Sequence, residues 1–496
     1  MGQRLAHRVT GLALFVAGLL LVVAGAQPEP AGFNVQGGGL VNQDRPSINS
    51  HSSPAVAVDP TRPSALAVAN RMDSPQFNCS LSVSTTSGLT WRPVPFTPAP
   101  DAPNCFWPDV AYDGEGRLLL LYTATGGRYN QPVGVWLQRF DGEAASGPPV
   151  PVAGAEAFHA HFAVSGARVV VAWVQTPPAN ADRPLGFEPG PNPLMVARSE
   201  NAGASFGPPV QVSTTERVAH PSVTILPGSG TVVVGALDYG DDVDNYEARH
   251  EGQAGPPPTA HWRVLNWRST DGGATFGSAP AVVADRIPAP QRVVIDLAPG
   301  PSFAADPDPG RRRLYAAWDG GVGDARDVFV ASSGDDGATW SAPVAVGPRP
   351  GSQFLPAVDV APGGRVDLVF YDRSGDGREI LGRAAVASSW DGGRTFATGY
   401  ASEDRFDTRI GLGSPNGIPQ LGNQLALVSG GPNPGTFLAF WADTSRGTLD
   451  NAVQDLAFAS VKPRARGGRS WPLLGLGAAL GVAAVVVTFR KVRQGR

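Results

Sequence analysis

From about residue 50 to residue 460 the chain alternates short apolar, β-branched runs with turns rich in Gly, Pro and Asp. One pattern, strand–turn–strand, occurs seven times. It reads PAVAVDPTRPSALAVAN from Pro54, PDVAYDGEGRLLLLYT from Pro108, HFAVSGARVVVAWVQ from His161 and PSVTILPGSGTVVVGALD from Pro221. It continues as PSFAADPDPGRRRLYAAWD from Pro301, PAVDVAPGGRVDLVFYD from Pro356 and NQLALVSGGPNPGTFLAFWAD from Asn423. Their alternation and turn chemistry predict β-hairpins. A second phrase follows five of them: STDGGATF from Ser269, SGDDGATW from Ser333 and SWDGGRTF from Ser389, with weaker copies STTSGLTW from Ser84 and SENAGASF from Ser199. Its consensus, Ser-x-Asp-x-Gly-x-Thr-aromatic, predicts a turn. The Asp and Ser side chains bond nearby backbone, Gly relieves the tight bend, and the aromatic packs beneath.

Repetition at intervals of tens of residues indicates a repeat architecture. A hairpin, the recurring turn and two later strands make a four-stranded unit that buries its faces only against neighbours. The predicted fold is therefore an all-β propeller, with seven blades favoured and six if one repeat is false. The last repeat lacks a fourth strand, which residues 33–42 (FNVQGGGLVN) would supply, closing the ring. Insertions at 176–193 and 238–261 both follow the second strand of their blade. Cys79 and Cys105, the only cysteines, suggest one disulfide between the first two repeats, with a chain-entropy contribution of about 3–4 kcal/mol.

The ends differ from the body. Residues 1–26 read as a signal peptide: Arg4, His7 and Arg8, an apolar run from Gly11 to Val23, then Ala24-Gly25-Ala26. Residues 27–461 are the propeller and 462–470 (KPRARGGRS) a juxtamembrane linker. The uncharged stretch 471–489 is long enough for a transmembrane helix, and the basic tail 490–496 marks a cytoplasmic C-terminus. The expected location is a membrane, single-pass, with the propeller outside the cytoplasm. Of the 39 basic residues, two lie in 1–26 and eight in 462–496, leaving 29 against all 43 acidic residues in the body, a net −14. An acidic exported body argues against nucleic acid as partner.

The turn phrases resemble the Asp boxes, or BNR repeats, of sialidases and related β-propellers. That resemblance covers roughly residues 45–460 and implies a six-bladed relative whose Asp boxes are structural and lie away from the active face. A sialidase also needs three arginines on the substrate carboxylate, an Asp acid/base and a Tyr nucleophile activated by Glu. Here Ser52 stands where the first arginine would be. Arg286-Ile287-Pro288 follows an Asp box, and His220-Pro221-Ser222 stands where the activating Glu would be. No catalytic residue is carried across. Phe370-Tyr371-Asp372-Arg373 and the segment Trp441 to Arg446 look like phrases of exported sialidase-like Asp-box proteins.

The second strands of five hairpins end in a carboxylate: Asp73, Asp238, Asp319, Asp372 and Asp443, with Tyr371, Trp318, Trp441, Arg71, Arg373 and Arg446 nearby. Such a ring suits carbohydrate or cation recognition. Alternatively each Asp caps its own loop and pairs with a neighbouring Arg. His51, His159, His161 and His220 stand at or before inner strands and are expected to be buried hydrogen-bonding groups rather than metal ligands. No cofactor is expected, apart from a structural divalent cation near Asp241, Asp242 and Asp244 as a weaker alternative. Two functions follow. One is a surface-anchored propeller that binds a glycan or a cell-surface protein. The other is a glycoside hydrolase with Asp372 or Asp238 as acid/base, Tyr371 beside it, and Arg373 or Arg71 as anion clamp. A scaffold between membrane complexes is a third, and would show an exposed apolar patch.

Overall fold

The apolar hairpins form where their alternation places them. In the computed structural model, residues 32–465 are described, except 45–49, 74–76, 128–130, 176–191, 215–216, 241–260, 289–299, 323–324, 412–420 and positions 97, 100, 101, 103 and 432. The propeller fills the larger of two compact units, Val35–Lys462; the other gathers Met1–Asn34 and Pro463–Arg496. The segments expected to be a signal peptide (1–26) and a transmembrane helix (471–489), nearly all of both insertions, and Asp241, Asp242 and Asp244 lie outside the described residues. Among the described residues no helix is long and apolar enough to cross a membrane.

Seven antiparallel sheets each carry a four-stranded blade, and two of them add a fifth short strand. Blade 1 runs His51–Val58, Leu66–Met72, Asn78–Ser84, Arg92–Pro93, from inner to outer strand. Blade 2 is Asn104–Tyr112, Leu118–Gly126, Gln131–Asp141, Val150–Ala153, and blade 3 is Ala157–Ser165, Arg168–Gln175, Leu194–Ser199, Val210–Gln211. Blade 4 is Val218–Ile225, Val232–Asp238, His261–Ser269, Ala281–Pro288, and blade 5 is Ser302–Ala305, Leu314–Val322, Ala325–Ser333, Val344–Ala345. Blade 6 is Gln353–Val360, Val366–Asp372, Leu381–Ser389, Ala397–Tyr400. Blade 7 takes Ala426–Ser429, Phe437–Asp443 and Asp455–Arg464 from the end of the chain and its outer strand, Gly32–Leu40, from the beginning. The ring closes as the missing fourth strand implied, and the seven-blade reading holds.

Side chains alternate across each strand, so both faces of a blade must be covered. Leu118–Gly126 and Val232–Asp238 are buried at every position, which explains why each opens on a continuous apolar run rather than an alternation. Each wedge between blades is its own core. Leu119, Leu121 and Val135 of blade 2 pack on Val169, Val171 and Trp173 of blade 3. Val328 and Val330 of blade 5 pack on Leu368, Phe370 and Ala385 of blade 6.

The five recurring turns share one hydrogen-bond scheme. The Gly amide donates to the Ser hydroxyl in all of them, at 2.7–3.0 Å (Gly88, Gly203, Gly273, Gly337, Gly393). Thr275, Thr339 and Thr395 donate their amides to Asp271, Asp335 and Asp391 at 2.9 Å. The two degenerate copies keep that bond: Thr90 donates to the Thr86 hydroxyl at 2.9 Å and Ser205 to the Asn201 amide oxygen at 3.0 Å. In those copies the Thr86 hydroxyl and the Asn201 amide oxygen stand in for the Asp carboxylate. At Gly273, φ is +91°, a conformation that costs L-residues but not glycine. The disulfide joins Cys79, in the third strand of blade 1, to Cys105, in the inner strand of blade 2, with Cα atoms 5.4 Å apart.

Between blades 6 and 7 two carboxylates face each other across a strand pair, Asp359 opposite Asp367. Ser429 bridges them, its amide on Asp359 at 2.7 Å and its hydroxyl on Asp367 at 2.8 Å. Burial pushes the Asp359 carboxyl up to about 7, against the pull of the Ser429 and Val360 amides. The folded state thus holds a proton that the unfolded chain, near 3.8, gives up. That contribution is fully present below pH 3.8 and is lost as pH rises through 7, by about 1.4 kcal/mol per pH unit in that window. Asp359→Asn cannot titrate. Its stability relative to wild type should therefore climb between pH 5 and pH 7 in urea titrations; parallel pH curves for the two proteins would remove this assignment.

Candidate functional site

Inner strands begin, and second strands end, on one face of the propeller, here the upper face; the recurring turns lie on the other. The inner strands of blades 1, 2, 3, 4 and 6 bulge at the same place, just inside the upper face. At each bulge a non-glycine residue has positive φ: Ser53, Trp107, His159, His220 and Leu355, between +45° and +58°. Such a conformation costs of order 1–2 kcal/mol per residue and persists only where surrounding packing fixes it. Here neighbouring bulges pack on one another. Trp107 stands edge-on to His159 at 4.0 Å between centroids, and His159 stacks on His220 at 4.3 Å. Burial pushes His220 down to about 3 and His159 well below the ordinary histidine value, so both are neutral at pH 7. His51 and His161 instead reach carboxylates, Asp44 at 2.9 Å and Asp109 at 3.3 Å. No group of three or more metal-ligating side chains occurs among the described residues.

The predicted carboxylates do reach one face, but four of the five are sunk into it. Asp73, Asp238, Asp319 and Asp372 are at most 4 % exposed. Asp73 is gripped by both sides of the Arg71 fork and by the Ser52 hydroxyl at 2.8 Å. Arg71 reaches on to Asn423 of blade 7 at 2.6 Å and lies over the Phe106 ring of blade 2 at 4.4 Å. Asp238 accepts two bonds from the Arg263 guanidinium on one oxygen, at 2.9 and 2.6 Å, and the Arg217 and Gly240 amides on the other. Asp319 pairs with Arg326 and accepts the Leu355 amide at 3.2 Å; burial raises its pKa against that pull. Asp372 accepts the Ser374 amide at 2.7 Å and the Tyr400 hydroxyl at 3.2 Å, with Arg349 at 3.7 Å. Asp443 alone is half-buried, capped by the Ser445 amide and the Trp441 indole.

Three groups proposed from the sequence are therefore corrected. Tyr371 is fully buried and faces blade 7, where its hydroxyl meets the backbone of Ala442 at 3.1 Å; burial raises its pKa further. Adjacent residues of a strand point to opposite faces, so Tyr371 looks into one wedge and Asp372 into the other. Trp318 and Trp441 are buried, Trp318 stacked on Phe329, and offer no face to a ligand. Arg71 and Arg373 are interior too: Arg373 donates to Thr408 at 2.9 Å and lies over Phe354 at 4.8 Å. Arg446 does reach the surface, paired with Asp455.

What the upper face presents outward is guanidinium. The side chains of Arg263, Arg349 and Arg446 are 41, 36 and 43 % exposed, while their carboxylate partners Asp238, Asp372 and Asp455 are 1–3 % exposed. The ring expected to be acidic is inverted, with acid beneath and arginine on top. Arg263, Arg326, Arg349, Arg383 and Tyr400 did not stand out in the sequence. A usable signal was present: Arg263 and Arg383 each precede the Ser of the recurring turn by six positions, and Arg326 by seven.

No protein-family model matches the chain, and no curated protein matches it either. Among solved structures it is similar to a protein of unknown function from Dyadobacter fermentans, at 12 % identity and TM-score 0.47, over 87 % of this chain and 100 % of that one. It is similar to a Hadza microbial sialidase at 14 % identity and TM-score 0.45, over 83 % of this chain and 65 % of the sialidase. It is also similar to an α-L-arabinanase from Penicillium chrysogenum at 12 % identity and TM-score 0.45, over 87 % and 98 % of the two chains. None of these likenesses transfers a reaction to this chain, whose propeller is established by its own strand order.

Proposed function

We propose that this chain is an exported propeller, anchored at a membrane through residues 471–489, that binds a glycan or protein ligand on its upper face without cleaving it. One observation supports binding over hydrolysis. Asp372 and Asp238, the two carboxylates with a claim to acid/base chemistry, are buried and already held by arginines, backbone amides or a tyrosine hydroxyl. A general acid must reach the glycosidic oxygen and exchange its proton there. An exposed arginine rim above sunk carboxylates suits recognition instead, since guanidinium forks bind oxygen acceptors in fixed geometry.

The test uses the full chain in detergent with a panel of acidic and neutral oligosaccharides, following binding by calorimetry and bond cleavage by mass spectrometry. The expected result is saturable binding with no new product. Turnover that disappears in Asp372→Ala would replace this reading with the hydrolase.

A further inference from the structure

Blades 4 and 6 repeat the same strand pair, and the difference between them isolates one side chain. In blade 4, Asp238 lies opposite Arg263 in register, and one Asp238 oxygen accepts two hydrogen bonds from the Arg263 guanidinium. In blade 6, Asp372 lies opposite Arg383 at the equivalent position, but the pair does not form. Asp372 is taken instead by the Ser374 amide, the Tyr400 hydroxyl and Arg349. Arg383 is left with its guanidinium over the Tyr400 ring at 4.8 Å and no carboxylate or hydrogen-bond acceptor among the described residues. Its Nε is buried without a partner, which for a charged donor is costly.

Arg349 approaches the same ring. Its guanidinium carbon is 5.7 Å from the Tyr400 centroid, one Nη donates to the Tyr400 hydroxyl at 2.8 Å, and the other donates to the Thr398 hydroxyl at 2.6 Å. Tyr400 packs on the core between blades 5 and 6, so both arginines sit at the upper rim of that wedge. Of the two guanidiniums only Arg349 approaches a carboxylate, Asp372 at 3.7 Å, and it spends its short bonds on neutral hydroxyls.

We propose that Arg349 and Arg383, set against Tyr400, form a binding site for an organic oxyanion, a carboxylate or sulfate of the kind acidic sugars carry. Either group would supply the anionic partner that Arg383 lacks and that Arg263 has at the equivalent position of blade 4. The proposal rests on the function above only in taking the anion to belong to a glycan; the anion site stands on the geometry alone.

The experiment titrates the full chain in detergent with sodium sulfate and with sodium glucuronate at low, chloride-matched ionic strength, reading Kd by calorimetry. Arg383→Ala and Arg349→Ala are expected to weaken binding at least about tenfold, as loss of a charge-assisted fork should. Arg394→Ala, in the recurring turn of blade 6 on the opposite face, is expected to bind as wild type does. Arg383→Lys keeps the charge and loses the fork, so intermediate affinity at unchanged Tm separates recognition from misfolding. Wild-type affinity in Arg383→Ala, or no saturable binding of either anion to wild type, would overturn the site. Neutral glycans bound without anions would remove the site and leave the glycan reading. Anions bound without any glycan would do the reverse.

Discussion

Asp73→Ala is expected to destabilise the propeller by about 3–5 kcal/mol, the usual cost of removing one partner from a buried ion pair. The Arg71 side chain is 1 % exposed and its partner Asp73 is fully enclosed. Without the carboxylate, a guanidinium would sit at the junction of blades 7, 1 and 2, between Asn423 and the Phe106 ring, with no counter-charge on its Asp73 side. The double variant Arg71→Met, Asp73→Leu removes both charges at similar bulk and should recover most of the loss, because a buried pair often does little better than apolar replacements. Urea unfolding of wild type, both single variants and the double variant closes the cycle. A loss below about 1 kcal/mol in Asp73→Ala would mean that solvent reaches this pair and the junction is not the closed structure described.

Removing the disulfide should have the next largest effect, about 2–5 kcal/mol, through a different route. Cys79 and Cys105 are buried, at 5 and 0 % exposure, so Cys79→Ala with Cys105→Ala leaves small apolar groups and little native strain. The loss falls on the unfolded chain, which gains the freedom of a loop 26 residues long. The midpoint of thermal unfolding should drop by a few degrees in a chain of this size, and dithiothreitol should lower the wild-type midpoint to match the variant while leaving the variant unchanged. A reducing agent without effect on wild type would show that this bond contributes nothing to stability.

The two changes divide between what could and could not be read in advance. The cysteine pair was legible because two cysteines leave one pairing. Arg71 and Asp73 were both visible as candidates, but as ligand groups. Their burial follows from Asn423 and Phe106, which come from other blades and belong to no motif around Arg71. The same holds for Asp372. Its sequence neighbours Tyr371 and Arg373 were the obvious partners, yet strand alternation turns Tyr371 away, and Tyr400 and Arg349, 28 and 23 positions distant, hold the carboxylate instead.

The sequence by itself determined the hairpins and the five turns, and it favoured seven blades closed by the strand near the start of the chain. These rest on interactions within a few residues: alternation with period two, side-chain oxygens bonding amides two to four positions on, and glycine where φ is positive. Only the tertiary structure decided which charges are sunk, which are exposed, and that Arg383 is displaced from the carboxylate its counterpart in blade 4 retains. That outcome depends on which side chains meet in a wedge between blades. The contacts that settle it join residues separated in sequence by up to 413 positions, and similar short motifs therefore meet different neighbours around the ring.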